Sequence, residues 1–154
     1  MPSPGDTVRG VQLMTTFHQA MSGRFINLLS WDNLSEFWNC LRNQADNNWF
    51  IYAISETAPT QPSTREELLR FIDEIDSLLR REHDEDYCGI VYADDRTHPG
   101  FVKIYDPNNL GVVCGYSENP PPPGWILSRI PPEPLKHSEV IPGNRRRWWQ
   151  RLWA

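Results

Sequence analysis

A chain of 154 residues and 18.0 kDa with a net charge of -5 has the size of one domain, and its mild acidity argues against general nucleic-acid binding. Seven tryptophans and an aromatic content of 12% supply enough apolar area for a core, which excludes disorder of the whole chain. No apolar run approaches the roughly 18 residues of a membrane-spanning helix, and the N-terminus lacks the pattern of a signal peptide.

The three cysteines are Cys40, Cys88 and Cys114, an odd number whose spacing fits neither a disulfide framework nor a zinc site. Reduced thiols are the simplest interpretation, because disulfides are rare where the medium is reducing. Together with the missing signal peptide, this predicts a cytoplasmic protein.

The first predicted helix follows a flexible N-terminus, residues 1–10, in which prolines and a glycine prevent helix formation. Apolar residues then recur at spacings of three and four, which is typical of one helix face. Gly23 interrupts the pattern, so either one helix bends there or two short helices meet. The residues of this face are Val11, Met14, Phe17, Met21, Phe25 and Leu28.

The second predicted helix begins at Asp32 or Asn33, because either side chain can cap a free backbone N–H group. Its apolar positions follow the i, i+3, i+4, i+7 rule and predict packing on the core. A short aromatic run after it predicts a buried strand at Trp49 to Ile54. The apolar positions of the helix are Leu34, Phe37, Trp38 and Leu41.

The third predicted helix spans Thr64 to Arg81 and begins with a capping box formed by Ser63 and Glu66. Four of its apolar residues face one way, flanked by three more, while charged residues point to water. The buried face consists of Leu68, Ile72, Ile75 and Leu79, flanked by Leu69, Phe71 and Leu78.

Three strands in succession are predicted between Tyr87 and Tyr116. They comprise Cys88 to Ala93, Phe101 to Tyr105 and Leu110 to Cys114, and their short connections favour antiparallel pairing. A strand, a helix and a strand also occur in order from Trp49 to Ala93, which predicts a right-handed parallel crossover. A last short strand is expected at Trp125 to Ser128, after four consecutive prolines.

These elements predict a single α+β domain. It contains a mixed or mainly antiparallel sheet of four or five strands, about three helices packed chiefly on one face, and a Pro-rich C-terminal arm. The predicted division is a domain of residues 11–130 and an arm and tail of residues 131–154.

The polar residues with catalytic chemistry form the group Cys88, Asp94, Asp95, His98 and Cys114. A metal- or thiol-dependent enzyme could use such residue types. However, unpaired cysteines are usually buried apolar side chains, and polar residues in a loop need no catalytic reason. The sequence therefore predicts no catalytic residue, no metal ligand and no cofactor.

The C-terminal tail combines arginine with tryptophan. Four arginines and no acidic residue follow Pro142, which leaves 11 basic and 20 acidic residues before it, a net charge of -9. Such a tail can contact a protein, an anionic membrane or single-stranded nucleic acid. Since the acidic body repels anionic surfaces, a protein surface is favoured and nucleic acid is disfavoured.

The favoured function is a small accessory or adaptor protein that binds another protein of unknown identity, or a second copy of itself. The alternatives are the enzyme just described and a peripheral membrane or nucleic-acid-binding protein that acts through the tail. The predicted partner-binding residues are Trp125, Arg145, Arg146, Arg147, Trp148, Trp149, Arg151 and Trp153.

Overall fold

The computed structural model describes residues 16–109, 122–135 and 143–154. In these ranges the chain forms four α-helices, a short 3-10 helix and five β-strands. The helices are α1 (Phe17–Met21), α2 (Trp31–Asn43), α3 (Arg65–Glu82) and α4 (Gly143–Leu152), and the 3-10 helix is Pro107–Asn109. The strands are β1 (Ile26–Asn27), β2 (Phe50–Ala53), β3 (Val91–Ala93), β4 (Phe101–Ile104) and β5 (Trp125–Ser128).

The five strands form one antiparallel sheet in the order β1-β3-β4-β5-β2. β4 pairs with β3 on one edge and with β5 on the other, so that Val102 lies opposite both Ala93 and Leu127. Successive side chains of a strand point to opposite faces, and each face of this sheet has its own hydrophobic cluster. The predicted single α+β fold with a mainly antiparallel sheet is confirmed.

The three longer helices, α2, α3 and α4, share the larger hydrophobic cluster on one face of the sheet. The predicted apolar faces of α2 and α3 are the buried ones, because a 3.6-residue period brings apolar side chains to one side of a helix. The buried residues of α2 are Leu34, Phe37, Trp38 and Leu41. Those of α3 are Leu68, Phe71, Ile72, Ile75, Leu78 and Leu79.

The N-caps of α2 and α3 differ from the predicted ones by one to three residues. The α2 cap is Ser30, whose side chain accepts a hydrogen bond from the Asn33 N–H at 2.9 Å. In α3 the capping box joins Thr64 with Glu67 instead of Ser63 with Glu66. Ser63 instead bonds to the Trp49 carbonyl through both its N–H and its hydroxyl, which holds it outside the helix.

The first helix is shorter than predicted and ends at Met21, before Gly23. Phe17 and Phe25 belong to the smaller cluster, whereas Leu28 belongs to the larger one, so these residues do not share one helix face. The reason is that β1 begins at Ile26 and carries the chain across the sheet edge. Val11 and Met14 lie outside the described residues.

The predicted parallel crossover is wrong, because β2 and β3 run antiparallel in the same sheet with β5 and β4 between them. β5 forms a central strand, and both edges of β4 are occupied by β3 and β5. The prediction of a strand at Leu110 to Cys114 lies outside the described residues. β3 and β4 form the predicted antiparallel hairpin, although β3 begins only at Val91.

The proline-rich segment before residue 136 lies against the second face of the sheet. Ile130 and Leu135 pack on the smaller cluster, and the Leu135 N–H donates to the Tyr52 hydroxyl at 3.1 Å. α4 packs on the larger cluster on the opposite face. The division into a domain of residues 11–130 and an arm of residues 131–154 stays a prediction.

Candidate protein-binding site

One side of α4 is buried in the domain. Arg145, Trp148 and Leu152 recur at i, i+3 and i+7, and each is at most 8% exposed. We call these three residues the inner side of α4. The Leu152 carbonyl, at the end of the helix, also accepts a hydrogen bond from the Arg70 side chain of α3 at 3.3 Å. The inner side therefore attaches α4 to the domain along its length.

Arg145 forms a bidentate ion pair with each of two carboxylates from distant parts of the chain. Its Nε and Nη2 donate to Asp106 at 2.8 and 2.9 Å. Its Nη1 and Nη2 donate to the two oxygens of Glu82 at 2.8 Å each. The planar guanidinium group matches two carboxylates in this way, and no other cationic side chain can do so.

The contacts of Arg145 change the pKa values of Glu82 and of Arg145 itself. The hydrogen bonds donated by Arg145 hold the pKa of Glu82 below its ordinary value, although burial acts in the opposite direction. Burial would lower the pKa of Arg145, but the hydrogen bonds to Asp106 and Glu82 outweigh it and the pKa is raised. Glu82 and Arg145 are therefore charged at neutral pH, and the ion pairs of Arg145 act as an electrostatic clamp on α4.

Trp148 fills the space between α3 and the centre of the sheet. Its ring contacts Trp125 of β5 edge to face, with the centroids 5.6 Å apart, and Phe71 of α3 at 6.4 Å. The Arg145 guanidinium lies 6.0 Å from the centre of the Trp125 ring. Of the predicted partner-binding residues, Trp125, Arg145 and Trp148 are thus buried by the domain itself, so their side chains are not part of its accessible surface.

The remaining predicted residues lie at the surface. Arg146, Arg147 and Arg151 are exposed, and none of them forms an ion pair with an acid of the described residues. We call them the outer arginines. Because α4 contains no acidic residue, the outer arginines place three positive charges within six residues of an otherwise acidic protein.

Trp149 and Trp153 are half-buried and form one wall of a groove. Their rings meet edge to face with centroids 5.4 Å apart. The opposite wall is the loop that carries Pro59 and Pro62, and Ile51 of β2 also lines the space. This Trp/Pro groove has a volume of about 220 Å³ and is open to solvent. Its lining consists of Ile51, Pro59, Gln61, Pro62, Ser63, Glu67, Trp149 and Trp153.

The groove depends on two elements that hold its walls in place. One is α4, which is fixed by its inner side. The other is the start of α3, where Glu67 accepts a hydrogen bond from the Thr64 N–H at 2.8 Å, and where Ser63 bonds to Trp49. Each wall of the Trp/Pro groove is therefore attached to the domain, one through the packing of α4 and the other through the hydrogen bonds at the start of α3.

The candidate catalytic group is not brought together. Cys88 is fully buried in the core, and burial raises the pKa of its thiol, which disfavours the nucleophilic thiolate. Asp94 accepts hydrogen bonds from the Gly100 and Phe101 N–H groups, so it shapes the hairpin loop. Cys114 lies outside the described residues.

Asp95 and His98 lie in the same exposed hairpin loop. Hydrogen bonds from the N–H groups of His98 and then Thr97 lower the pKa of Asp95, so its carboxylate also acts as a turn-forming acceptor. Among the residues that the structure describes, no three histidine, cysteine or acidic side chains form a group able to hold a metal ion. The arrangement therefore explains these polar residues by the geometry of the loop.

Comparison with known protein families, with curated protein sequences and with solved structures finds no match. None of the helices within residues 16–109, 122–135 and 143–154 is long and apolar enough to cross a membrane. The candidate site is therefore defined by its geometry alone.

Sequence reasoning missed the roles of Glu82 and Asp106 as partners of Arg145, and the role of Pro59 and Pro62 as a groove wall. The clamp joins residues 63 and 39 positions apart, which no local pattern encodes. The sequence does contain one signal of the buried side of α4, because Arg145, Trp148 and Leu152 have the spacing of one helix face.

Proposed function

We propose that the protein is a small accessory or adaptor protein of the cytoplasm that acts by binding another protein. The contact surface consists of the outer arginines and the Trp/Pro groove. The observation that carries the proposal is the half-exposed pair Trp149 and Trp153 on a helix that also carries three exposed arginines with no ion-pair partner among the described residues. Tryptophan and arginine are the residue types most enriched among the energetically dominant contacts of protein interfaces.

The clamp around Arg145 supports this proposal. A binding surface gains affinity when its side chains are ordered before the partner arrives, because less conformational entropy is then lost on binding. Arg145 and Trp148 fix the backbone of α4, so Trp149 and Trp153 are presented on a supported helix. The free thiols of Cys40 and Cys88 are consistent with a reducing compartment.

Affinity capture from the source cell tests the proposal. The bait is the intact protein, and the test variant is Arg147→Glu combined with Trp153→Ala, which alters the outer arginines and the groove and leaves the inner side intact. The matched control is Arg24→Glu, an exposed arginine next to the opposite face of the sheet. We expect one protein to be captured by the intact and control baits and lost with the test variant. Purified, that protein should then bind directly.

Capture that is equal for all three baits would contradict the proposed surface. Binding of the intact protein to anionic vesicles, with loss of binding in the Arg147→Glu, Trp153→Ala variant, would instead indicate a peripheral membrane protein. A molar mass twice that of the chain in solution, abolished by the same variant, would identify the partner as a second copy.

A further inference from the structure

β1 forms the edge of the sheet opposite to β2 and the Trp/Pro groove. The Leu28 N–H donates to the Val91 carbonyl at 2.9 Å, and the register of β1 on β3 continues from Ile26 opposite Ala93. Hydrogen bonds to an antiparallel neighbour come from alternate residues, so the even-numbered positions of β1 bond to β3. The N–H and carbonyl of Asn27 therefore point to the free edge, where a further strand can pair with them.

The exposed large hydrophobic side chains of the described residues gather at this edge. Ile26 lies in β1 and is 42% exposed, and Leu29 follows the strand and is 59% exposed. Tyr87 is 54% exposed and precedes Cys88, whose N–H donates to the Leu29 carbonyl at 2.7 Å. Single exposed apolar residues are common on protein surfaces, but a group of them beside an unpaired strand edge marks an interaction site.

Opposite charges lie at the two ends of this edge. Arg24 is two residues before β1, and the acidic run Asp84–Asp86 lies beside the start of α2, where the Trp31 indole N–H donates to the Glu85 carbonyl at 3.0 Å. All four charged side chains are exposed. None of them forms an ion pair within the part of the chain that the structure describes.

The edge is complementary to itself, which identifies a second copy of the chain as the partner. An antiparallel pair centred on Asn27 of both copies joins the N–H of each Asn27 to the carbonyl of the other. In this register, Phe25 of one copy lies opposite Leu29 of the second, and Arg24 lies opposite Ser30. Ser30 caps α2, so Arg24 comes next to the acidic run of the second copy. The two-fold axis repeats both contacts.

We propose that the protein forms a symmetric dimer in which the two β1 strands pair antiparallel and join the two sheets. β1 has only two residues, so the interface is small and the dimer is weak and reversible. Because β1 and β2 are opposite edges of the sheet, both Trp/Pro grooves stay accessible in the dimer. This inference concerns a separate surface and is independent of the proposed function.

Sedimentation velocity of the full chain from about 1 µM to about 1 mM tests the proposal. We expect the molar mass to rise with concentration from 18.0 kDa towards twice that value. Asn27→Pro removes the N–H at the free edge, a position where proline is tolerated, and Leu29→Lys places a charge at an exposed apolar position. Each should weaken dimerisation at least about tenfold, while circular dichroism shows that the variants are folded.

Charge reversal tests the orientation of the two copies. Arg24→Glu, and separately the double variant Glu85→Lys, Asp86→Lys, should each weaken dimerisation because like charges then face each other across the axis. The three changes combined in one chain restore opposite charges and should restore the dimer. Arg65→Glu makes the same charge change at the start of α3, next to Asn47, and should leave dimerisation unchanged.

A molar mass of one chain at every concentration would overturn the proposal, and so would a dimer that persists in both Arg24→Glu and Leu29→Lys. A dimer lost only in the Arg147→Glu, Trp153→Ala variant would contradict it as well, because the copies would then meet through α4. Capture of another protein by the Arg24→Glu bait should be unchanged, since α4 is unaltered. The dimer and the proposed function can therefore fail separately.

Discussion

The inner and outer sides of α4 carry the same residue types in opposite environments. Arg145 and Trp148 are buried, and their partners are acids and aromatic rings of the same domain. Arg147 and Trp153 lie at other angles around the helix axis, and their side chains reach solvent. The difference shows that an Arg/Trp segment is not by itself a binding motif, because the phase of the helix decides which residues stabilise the fold and which remain available to a partner.

Replacement of Arg145 should have the largest effect. Arg145→Ala leaves Glu82 and Asp106 without their positive partner, and breaking a buried ion pair typically costs about 3–5 kcal/mol. Arg147→Ala is the matched control on the same helix and should change the free energy of unfolding by less than about 0.5 kcal/mol. Chemical denaturation measures both values. Similar losses for the two variants would show that the two sides of α4 do not differ as described.

Trp148 and Trp153 allow the same comparison between a buried and a half-exposed residue of α4. Trp148→Ala removes a ring packed between Trp125 and Phe71, and the cavity should cost about 3–5 kcal/mol. Trp153→Ala removes a ring that is already partly in water and should cost less than about 1.5 kcal/mol. Denaturation with urea measures the difference. A larger loss for Trp153 than for Trp148 would reverse the assignment of inner and outer sides.

Acidic pH should weaken the attachment of the inner side of α4 to the domain and so lower the free energy of unfolding. Because the pKa of Glu82 is lowered in the folded protein, its ionised form contributes stability that is complete above the ordinary pKa of 4.5 and is lost as the pH falls through the folded pKa. Glu82→Gln keeps the size of the side chain and removes the titration. Stability measured from pH 7 to pH 3 should therefore fall less steeply in the variant. Parallel curves for the two proteins would show that Glu82 does not contribute to the acid response.

Changes to the outer arginines should have the smallest effect on folding. The triple variant Arg146→Gln, Arg147→Gln, Arg151→Gln removes three exposed charges that have no described ion-pair partner, so its melting temperature should stay within a few degrees of the unmodified protein. Differential scanning calorimetry measures this shift. A strong destabilisation would mean that these arginines support the fold and are not available to a partner.

Local periodicity explains what the sequence could predict. The buried faces of α2 and α3 follow from repeats of 3.6 residues, and the hairpin of β3 and β4 follows from two apolar runs joined by a short loop. Cap positions were missed by a few residues because neighbouring residues, such as Ser63 and Thr64, have similar capping ability, and the hydrogen bonds to Trp49 decide between them.

Pairing between distant segments explains what the sequence could not predict. β5 is a run of four residues behind consecutive prolines, yet it lies between β4 and β2 because its side chains complete both hydrophobic clusters. The clamp of Arg145 with Glu82 and Asp106 depends on the docking of α4, which no local pattern specifies. The groove likewise exists only after the Pro59 loop and α4 have come together.

Amide hydrogen exchange of α4 tests most directly whether this helix is a core element that presents a binding surface. The account predicts that the amides of Trp148 to Leu152, which lie beyond the first turn of α4, exchange about as slowly as those of Ile72 to Leu79 in α3, because both helices pack on the same cluster. Exchange of α4 near the rate of an unstructured peptide, with α3 still protected, would contradict the account and show that the tail is only loosely docked.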